Sequence, residues 1–376
     1  MLAHHLTVAL RSIRRRRLNA ALGVAVLTMG LACFLAAHRF VSYVRSYDTG
    51  FPNAERIYVV YEGIEAPATG LKIPPTSRSA RQLAEHLRLE APELDAVARY
   101  QPAFNAFVTV GGEESFRHVA IVEPEFLDIF AFEPLEGELD GALAKPRSAV
   151  ITARAAEALF GRQDVVGETL ALTVFDRMDV TIAAVVAESS RASHLRRGLF
   201  AAGFELLVSW DVGEAIARFP QDDGWSVTTL TTYVLLPADG SLSAAELDRR
   251  LAGIVQRHVP ADQGFSITFS ARPVSAVTAD ALQSQFQGYY GTGWPIDILE
   301  TLLLFCGAIL GVACLNFINL ATAEALGRAR EIGTRKALGA AFGQVIRQEL
   351  TRTALEATAA AALALGVIAL ASRGWP

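Results

Sequence analysis

The chain has 376 residues, 34 Lys and Arg against 39 Asp and Glu for a net charge of −5, and a hydrophobic fraction of 52%. That apolar share exceeds what an ordinary soluble domain carries and is gathered in blocks, so a purely soluble protein is excluded. The acidic balance argues against nucleic acid as a partner, and the length leaves room for a folded soluble domain beside a membrane part.

In chain order, Leu2, Leu6, Leu10 and Ile13 recur at helical spacing with Arg11, Arg14 and Arg15 elsewhere on the wheel. Residues 1–17 are expected as an amphipathic helix lying on the cytoplasmic leaflet. Residues 18–37, LNAALGVAVLTMGLACFLAA, carry no charge over 20 positions. At 1.5 Å per residue that crosses the roughly 30 Å hydrocarbon core, which places a first transmembrane helix at 18–40. A cleaved signal peptide is the alternative, but its apolar region spans only about 7 to 15 residues. A lipoprotein signal at Cys33 is opposed by Gly30, where leucine is wanted. Arg11, Arg14, Arg15, Arg16 and Arg17 precede the span without an acid and keep this end in the cytoplasm.

Residues 41–295 are expected as a periplasmic domain. Between 38 and 297 there are 22 Lys and Arg against 34 Asp and Glu, net −12, so the small overall charge hides an acidic exterior and a basic cytoplasmic side. The pattern predicts an α/β (α+β) domain. RIYVVYEG (56–63) reads as a strand, 77–92 as an amphipathic helix and 106–123 as a hairpin. A later unit reads as strand 231–236, helix 243–258 with Ser243 as N-cap, and strand 266–274. The short elements between them, including SAVIT, ETLALTV, DVTIAAVVA and FELLVSW, are expected as a strand-rich subdomain inserted at about 124–228.

A second span is expected at 296–322, a charged loop at 323–351, a third, alanine-rich span at 352–372, and a tail at 373–376. Glu356 interrupts the start of the third span. In the loop Arg328, Arg330, Arg335, Lys336, Arg347 and Arg352 outnumber Glu324, Glu331 and Glu349, which puts it on the cytoplasmic side. Phe40, Tyr43 and Tyr47 follow the first span, Tyr289, Tyr290 and Trp294 precede the second, and Trp375 follows the third, as an interfacial belt requires. Cys33, Cys306 and Cys314 fall inside spans, so no disulfide framework holds the exported domain. Gly307 and Gly311 form a GxxxG pair, and Gly23 and Gly30 share a face of the first span, which suits close helix packing.

No catalytic motif is present: there is no GxSxG, HExxH or CxxC, and the seven histidines show no ligand spacing along the chain. GRQDVVGET, from Gly161, has the wrong glycine spacing for a phosphate loop and no lysine. The expectation is a non-catalytic chain with no metal and no cofactor.

The loop contains EALGRAREIGTRKALGA (324–340). Ile332, Ala337 and Leu338 offer a small apolar face, Arg330, Glu331, Arg335 and Lys336 a polar rim, and Gly333 and Gly339 places to break. A docking helix and a positive-inside anchor both fit that composition. ACLNFINLATAEALGRAREIGTRKALGA (313–340) closely resembles the segment of MacB/FtsX-type ABC transporter permeases that carries an R-x-REIGxRKALGA coupling helix, with Thr334 where isoleucine is common. SYDTGFPNAERIYVV (46–60) resembles the opening of that family's periplasmic domain, and 122–138 and 146–170 are similar to its MacB-like core. The resemblance implies a permease of the bacterial inner membrane that docks on a separate ABC ATP-binding subunit, where ATP and Mg are bound and hydrolysed. It implies Arg330, Glu331, Gly333, Arg335, Lys336, Leu338 and Gly339 as coupling residues, and a second permease unit, a periplasmic adaptor and lipids as partners. Export or efflux by mechanotransmission is the expected function; an FtsX-like regulator or a static scaffold is the alternative. Family members have four spans per unit where three are read here, so the chain is expected to be a truncated or N-terminal portion.

Overall fold

The computed structural model describes residues 17–174, 176–188, 192–196, 203–216, 225, 229–261, 264–287, 297–327, 329, 333–334, 337 and 342–372. Two compact units divide the chain, one formed by Met1–Ser42 with Ile296–Pro376 and the other by Tyr43–Pro295.

The first unit holds long apolar helices: α1 (Arg17–Arg45), and two near the C-terminus, Ile298–Leu326 and Phe342–Ala371, which become α8 and α9 in chain order. Segments Leu18–Arg45, Ile298–Leu326 and Glu349–Ala371 are each long and apolar enough to cross a membrane. Leu27, Phe317 and Ala360, one from each helix, meet in a small apolar cluster. Leu304, Phe305, Leu315 and Leu370 stay outward and exposed, the distribution expected of helices solvated by lipid. Asp297 caps α8 by accepting the amide of Leu299 at 2.7 Å. The expected helix over residues 1–17 falls almost wholly outside the described residues.

The second unit is built on an 11-stranded sheet. Its strands are β1 (Ile57–Ala66), β2 (Leu71–Thr76), β3 (Ala96–Val110), β4 (Glu113–Val122), β5 (Pro134–Gly137), β6 (Ser148–Thr152), β7 (Thr169–Thr173), β8 (Arg177–Val186), β9 (Leu206–Ser209), β10 (Thr231–Leu235) and β11 (Ser266–Pro273). The helices between them are α2 (Leu83–Glu90), α3 (Glu125–Phe130), α4 (Ala153–Phe160), α5 (Trp210–Ile216), α6 (Ala244–His258) and α7 (Val277–Gln287). The main path of the sheet runs β11-β1-β10-β3-β4-β9-β6-β8-β5, with β2 against β1 and β7 against β3 and β8. Among the described residues only β4 with β9 and β6 with β8 are parallel.

Local chemistry accounts for the boundaries. Ser243 caps α6 by accepting the amide of Glu246 at 3.2 Å, and Thr152 caps α4 through Ala155. The sequence predicts a helix from 77, yet α2 begins at Leu83. Ser79 donates its amide to the Leu230 carbonyl at 2.7 Å and Ala80 donates its amide to the Glu62 carboxylate, so this stretch is held extended beside the start of β10. The expected 106–123 hairpin is longer than predicted, because β3 starts at Ala96 and tolerates a register shift between Gln101 and Phe104. β2, LKIPPT, was hidden by two prolines, which are compatible with a strand bonded only to β1.

Among the described residues three apolar clusters line the sheet. One lies under α2 and α6, with Leu83, Leu87, Leu247, Leu251 and Ile254 all fully buried. A second joins β6 to β9 with α4. The third is aromatic at its centre, where Tyr100, Phe126, Phe130 and Tyr233 pack at ring separations of 4.7 to 5.9 Å. Over β3 and β4 the buried Glu123 accepts two bonds from the Arg99 side chain, at 2.6 and 3.0 Å, one from the Arg99 amide at 2.8 Å and one from Arg88 at 2.5 Å. Burial alone would raise the Glu123 pKa; the two guanidinium groups outweigh it and hold the carboxyl below its ordinary range.

Candidate functional site

Two places combine buried charge with a position at the end of a long apolar helix. The first lies in the membrane-type unit. Glu324 sits in the last turn of α8, and Arg352 and Glu356 stand four residues apart on α9, so the latter two share a helix face. Arg352 Nε donates to Glu356 Oε1 at 3.0 Å, and its Nη2 donates to Glu324 Oε2. All three side chains are less than a tenth exposed. A charge removed from water persists only when paired, and this trio ties the end of α8 to α9, the two helices that bracket residues 327–341.

The second place is the start of the β-rich unit. Asp48 lies just past the end of α1, fully buried, with φ +60°. Aspartate tolerates this left-handed geometry better than most residues. Its amide donates to the Ala192 carbonyl at 3.0 Å. Its Oδ1 accepts the Ser193 hydroxyl at 2.6 Å and the His194 amide at 3.0 Å. His194 Nδ1 lies 2.8 Å from the same oxygen but off the line of a hydrogen bond, while its Nε2 shares a 2.6 Å hydrogen bond with Tyr233. Burial raises the Tyr233 pKa far above the ordinary phenol value, and the nearby Tyr100 adds to this. The phenol therefore stays protonated at neutral pH. Asp48 thus binds residues 192–194 to the chain directly following α1. The arrangement acts as a clamp on the chain that follows α1.

Of the coupling residues expected from sequence, Arg330, Glu331, Arg335, Lys336, Leu338 and Gly339 lie outside the described residues. Gly333 is described as helical and exposed, with open space around it. Among the expected packing glycines, Gly30 and Gly23 of α1 face α8. A Cβ on Gly30 would fall 2.7 Å from the Ala313 Cβ, and one on Gly23 would fall 3.3 Å from Phe317 and Leu320. Gly307 has only a Phe34 ring carbon, at 4.0 Å, and Gly311 meets nothing within 4 Å.

Sequence reasoning missed both charged sites in part. Arg352 and Glu324 read as loop charges and Glu356 as a blemish in an apolar run; the available signal was their i, i+4 spacing inside a span. Asp48 meeting Ser193 and His194 had no local signal, because the partners lie 145 and 146 residues away.

A family described as the MacB-like periplasmic core domain matches residues 20–253. Among solved structures, the chain is similar to a domain of a protein described as a permease from Porphyromonas gingivalis, at 20% identity over 59% of this chain and 91% of that one, with a TM-score of 0.47. It is similar to the periplasmic region of MacB from Actinobacillus actinomycetemcomitans, at 12% identity over 64% and 96% of the two chains, with a TM-score of 0.41. The extracellular domain of the noncanonic ABC-type transporter YknZ from Gram-positive bacteria matches at 10% identity over 56% and 99%, with a TM-score of 0.38. No curated protein matches the chain.

Proposed function

The chain belongs to the MacB-like periplasmic core domain family, and from that premise we propose that it is the permease subunit of an ABC transporter, moved by an ATP-binding subunit that docks on residues 323–351. The three apolar helices are its spans, the N-terminus and the 323–351 loop face the cytoplasm, and residues 41–295 face the periplasm of the inner membrane. Within that domain 124–228 is the inserted part. Topology supports this in part, since after β4 the chain builds β5 to β9 and rejoins β1 and β3 at β10, while β7 reaches back to pair with the far end of β3. ATP and Mg belong to the partner, and this chain performs no catalysis of its own.

The observation that carries the mechanism is the buried trio Glu324, Arg352 and Glu356. A displacement of the loop between α8 and α9 cannot be absorbed at its base if the two helices are pinned there by paired charge. It must move the helices instead. At the other end, Asp48 ties the chain leaving α1 to residues 192–194, so a shift of α1 is carried into the folded domain. Gly30 and Gly23 let α1 and α8 approach closely enough to move together.

The test is copurification of an ABC ATP-binding subunit with the full chain from solubilised membranes. Arg335→Glu with Lys336→Glu is expected to abolish it, and binding that survives the change removes the docking assignment. Export of a substrate and activation of a periplasmic enzyme, the two uses such motion can serve, are separated by following ATP-dependent release from vesicles.

A further inference from the structure

Helices α2 and α6 bring together His86, Glu90 and His258, of which Glu90 and His258 are 168 residues apart in sequence. His86 and Glu90 are four residues apart and share a face of α2; His258 is the last residue of α6. One ligating atom from each lies within 4.8 Å of the other two. The imidazoles are stacked, with centroids 3.9 Å apart and planes at 27°, and Trp225 stacks on His86 at 5.4 Å. His258 Nε2 stands 2.6 Å from Glu90 Oε1.

We propose that His86, Glu90 and His258 form a binding site for a divalent transition-metal ion of the zinc class, which clasps the end of α6 to α2. Two imidazole nitrogens with one carboxylate oxygen suit zinc, copper(II) or nickel; magnesium and calcium prefer all-oxygen sites. In the present geometry a single proton bridges His258 Nε2 and Glu90 Oε1. The metal ion takes that proton's place, the two atoms opening until each lies about 2.0 to 2.2 Å from the ion. Where the His258 ring is the cation, that proton goes to solvent, and where it is neutral the proton moves to Nδ1, so the ring ligates as a neutral imidazole either way and no redox change is involved.

The surrounding charges tune the site in both directions. Arg257 pairs with Glu90 Oε2 on the side away from the imidazoles and, as a cation beside the metal position, opposes binding. Arg250 donates to the Glu90 carbonyl at 2.5 Å and pairs with Glu93 at 3.2 Å, and Glu85 is the residue immediately before His86 on α2. Water fills the remaining coordination positions, because the three side chains are only half-buried. Since α2 and α6 rest on the same apolar cluster, a bound ion adds a fixed link above packing that already exists.

The full chain, purified in detergent and stripped with a chelator, is titrated with Zn²⁺ against a chromophoric competitor, and with Cu²⁺ while tryptophan fluorescence is followed. One high-affinity Zn²⁺ per chain is expected, unaffected by excess Mg²⁺, with Cu²⁺ quenching part of the emission through Trp225. His86→Ala and His258→Ala are each expected to weaken binding roughly tenfold or more. Arg257→Gln, at an exposed position, is expected to tighten it, which keeps the test decisive if a histidine variant does not fold. His4→Ala with His5→Ala is expected to leave it unchanged. Zn²⁺ affinity that persists in the His86→Ala and His258→Ala double variant, or that is unchanged in Arg257→Gln, overturns the assignment.

Discussion

A side chain on Gly30 has nowhere to go: its Cβ would stand 2.7 Å from the Cβ of Ala313 and 3.4 Å from the Cα of Leu310. Helices α1 and α8 therefore touch at backbone distance, and the contact depends on a residue without a side chain. Gly30→Leu is expected to push the helices apart, at a cost of about 1 to 3 kcal/mol for overpacking. Three residues further on, Cys33 Sγ lies 3.5 Å from Cys306 Sγ, which supplies the readout. Copper phenanthroline is expected to join the two thiols in the wild-type chain and in Gly311→Leu, where open space surrounds the glycine. The crosslink is expected to fall to a small fraction in Gly30→Leu. Equal yields in all three proteins would show that Gly30 does not set this helix pair.

Glu62 on β1 gives the folded domain a pH dependence of definite sign. It is 2% exposed, and its Oε2 accepts the amide of Ala80 at 2.8 Å. Burial pushes its pKa from 4.5 to about 8, with that hydrogen bond opposing the rise. Between these two values the folded chain keeps a proton that the unfolded chain releases, so stability falls as pH rises through this window and levels off above it. The loss is on the order of 3 to 5 kcal/mol. Glu62→Gln keeps an oxygen for Ala80 and cannot ionise. Its melting temperature in detergent is expected to exceed wild type at pH 8 and to converge with it near pH 4.5. A wild-type advantage at pH 8 would refute the buried-acid account.

Asp48 holds a left-handed backbone, φ +60°, and also serves as acceptor for the Ser193 hydroxyl and the His194 amide. Asp48→Ala loses both acceptors and places an ordinary Cβ in a conformation it resists, for a total of about 2 to 4 kcal/mol. Asp48→Asn tolerates the conformation and keeps one oxygen, so it is expected to lose clearly less. Urea midpoints of the full chain should rank wild type above Asn and Asn above Ala. If Ala and Asn are equal, the clamp contributes nothing beyond its backbone bonds.

Local chemistry made much of the fold readable before any coordinates. Ser243 followed by a 3.6-residue apolar period announces α6, and the flanking runs TTYVLL and SITFSARPV announce β10 and β11. What escaped was set at long range. The start of α2 is decided by Leu230 and Glu62, which capture the amides of Ser79 and Ala80. The sites divide in the same way. His86 and Glu90 form a visible i, i+4 pair, but the third member, His258, arrives only because α6 packs against α2, and no spacing rule reaches across 168 residues. Gly30 was legible as a small residue on an apolar helix, whereas Ala313 as its partner was not.

Arg352 is the shared cation of two carboxylates, with Glu356 one turn away on its own helix and Glu324 across on α8. Arg352→Met removes it from between two buried acids, and breaking such a group by deleting one member costs about 3 to 5 kcal/mol. The same residue replaced together with Glu324→Gln and Glu356→Gln takes out charge of both signs, and that exchange is close to neutral in well-packed sites. The triple variant is therefore expected to melt in detergent near the wild-type temperature, well above Arg352→Met. The two proteins also separate stability from coupling. On the proposed reading of the chain as a permease moved by an ATP-binding subunit, the triple variant keeps ATP-dependent function if the trio only holds the helices together; if the charged link transmits movement of the loop, it folds and copurifies with that subunit but loses the function. A single variant as stable as wild type would mean that the three groups are not linked in the membrane-embedded chain.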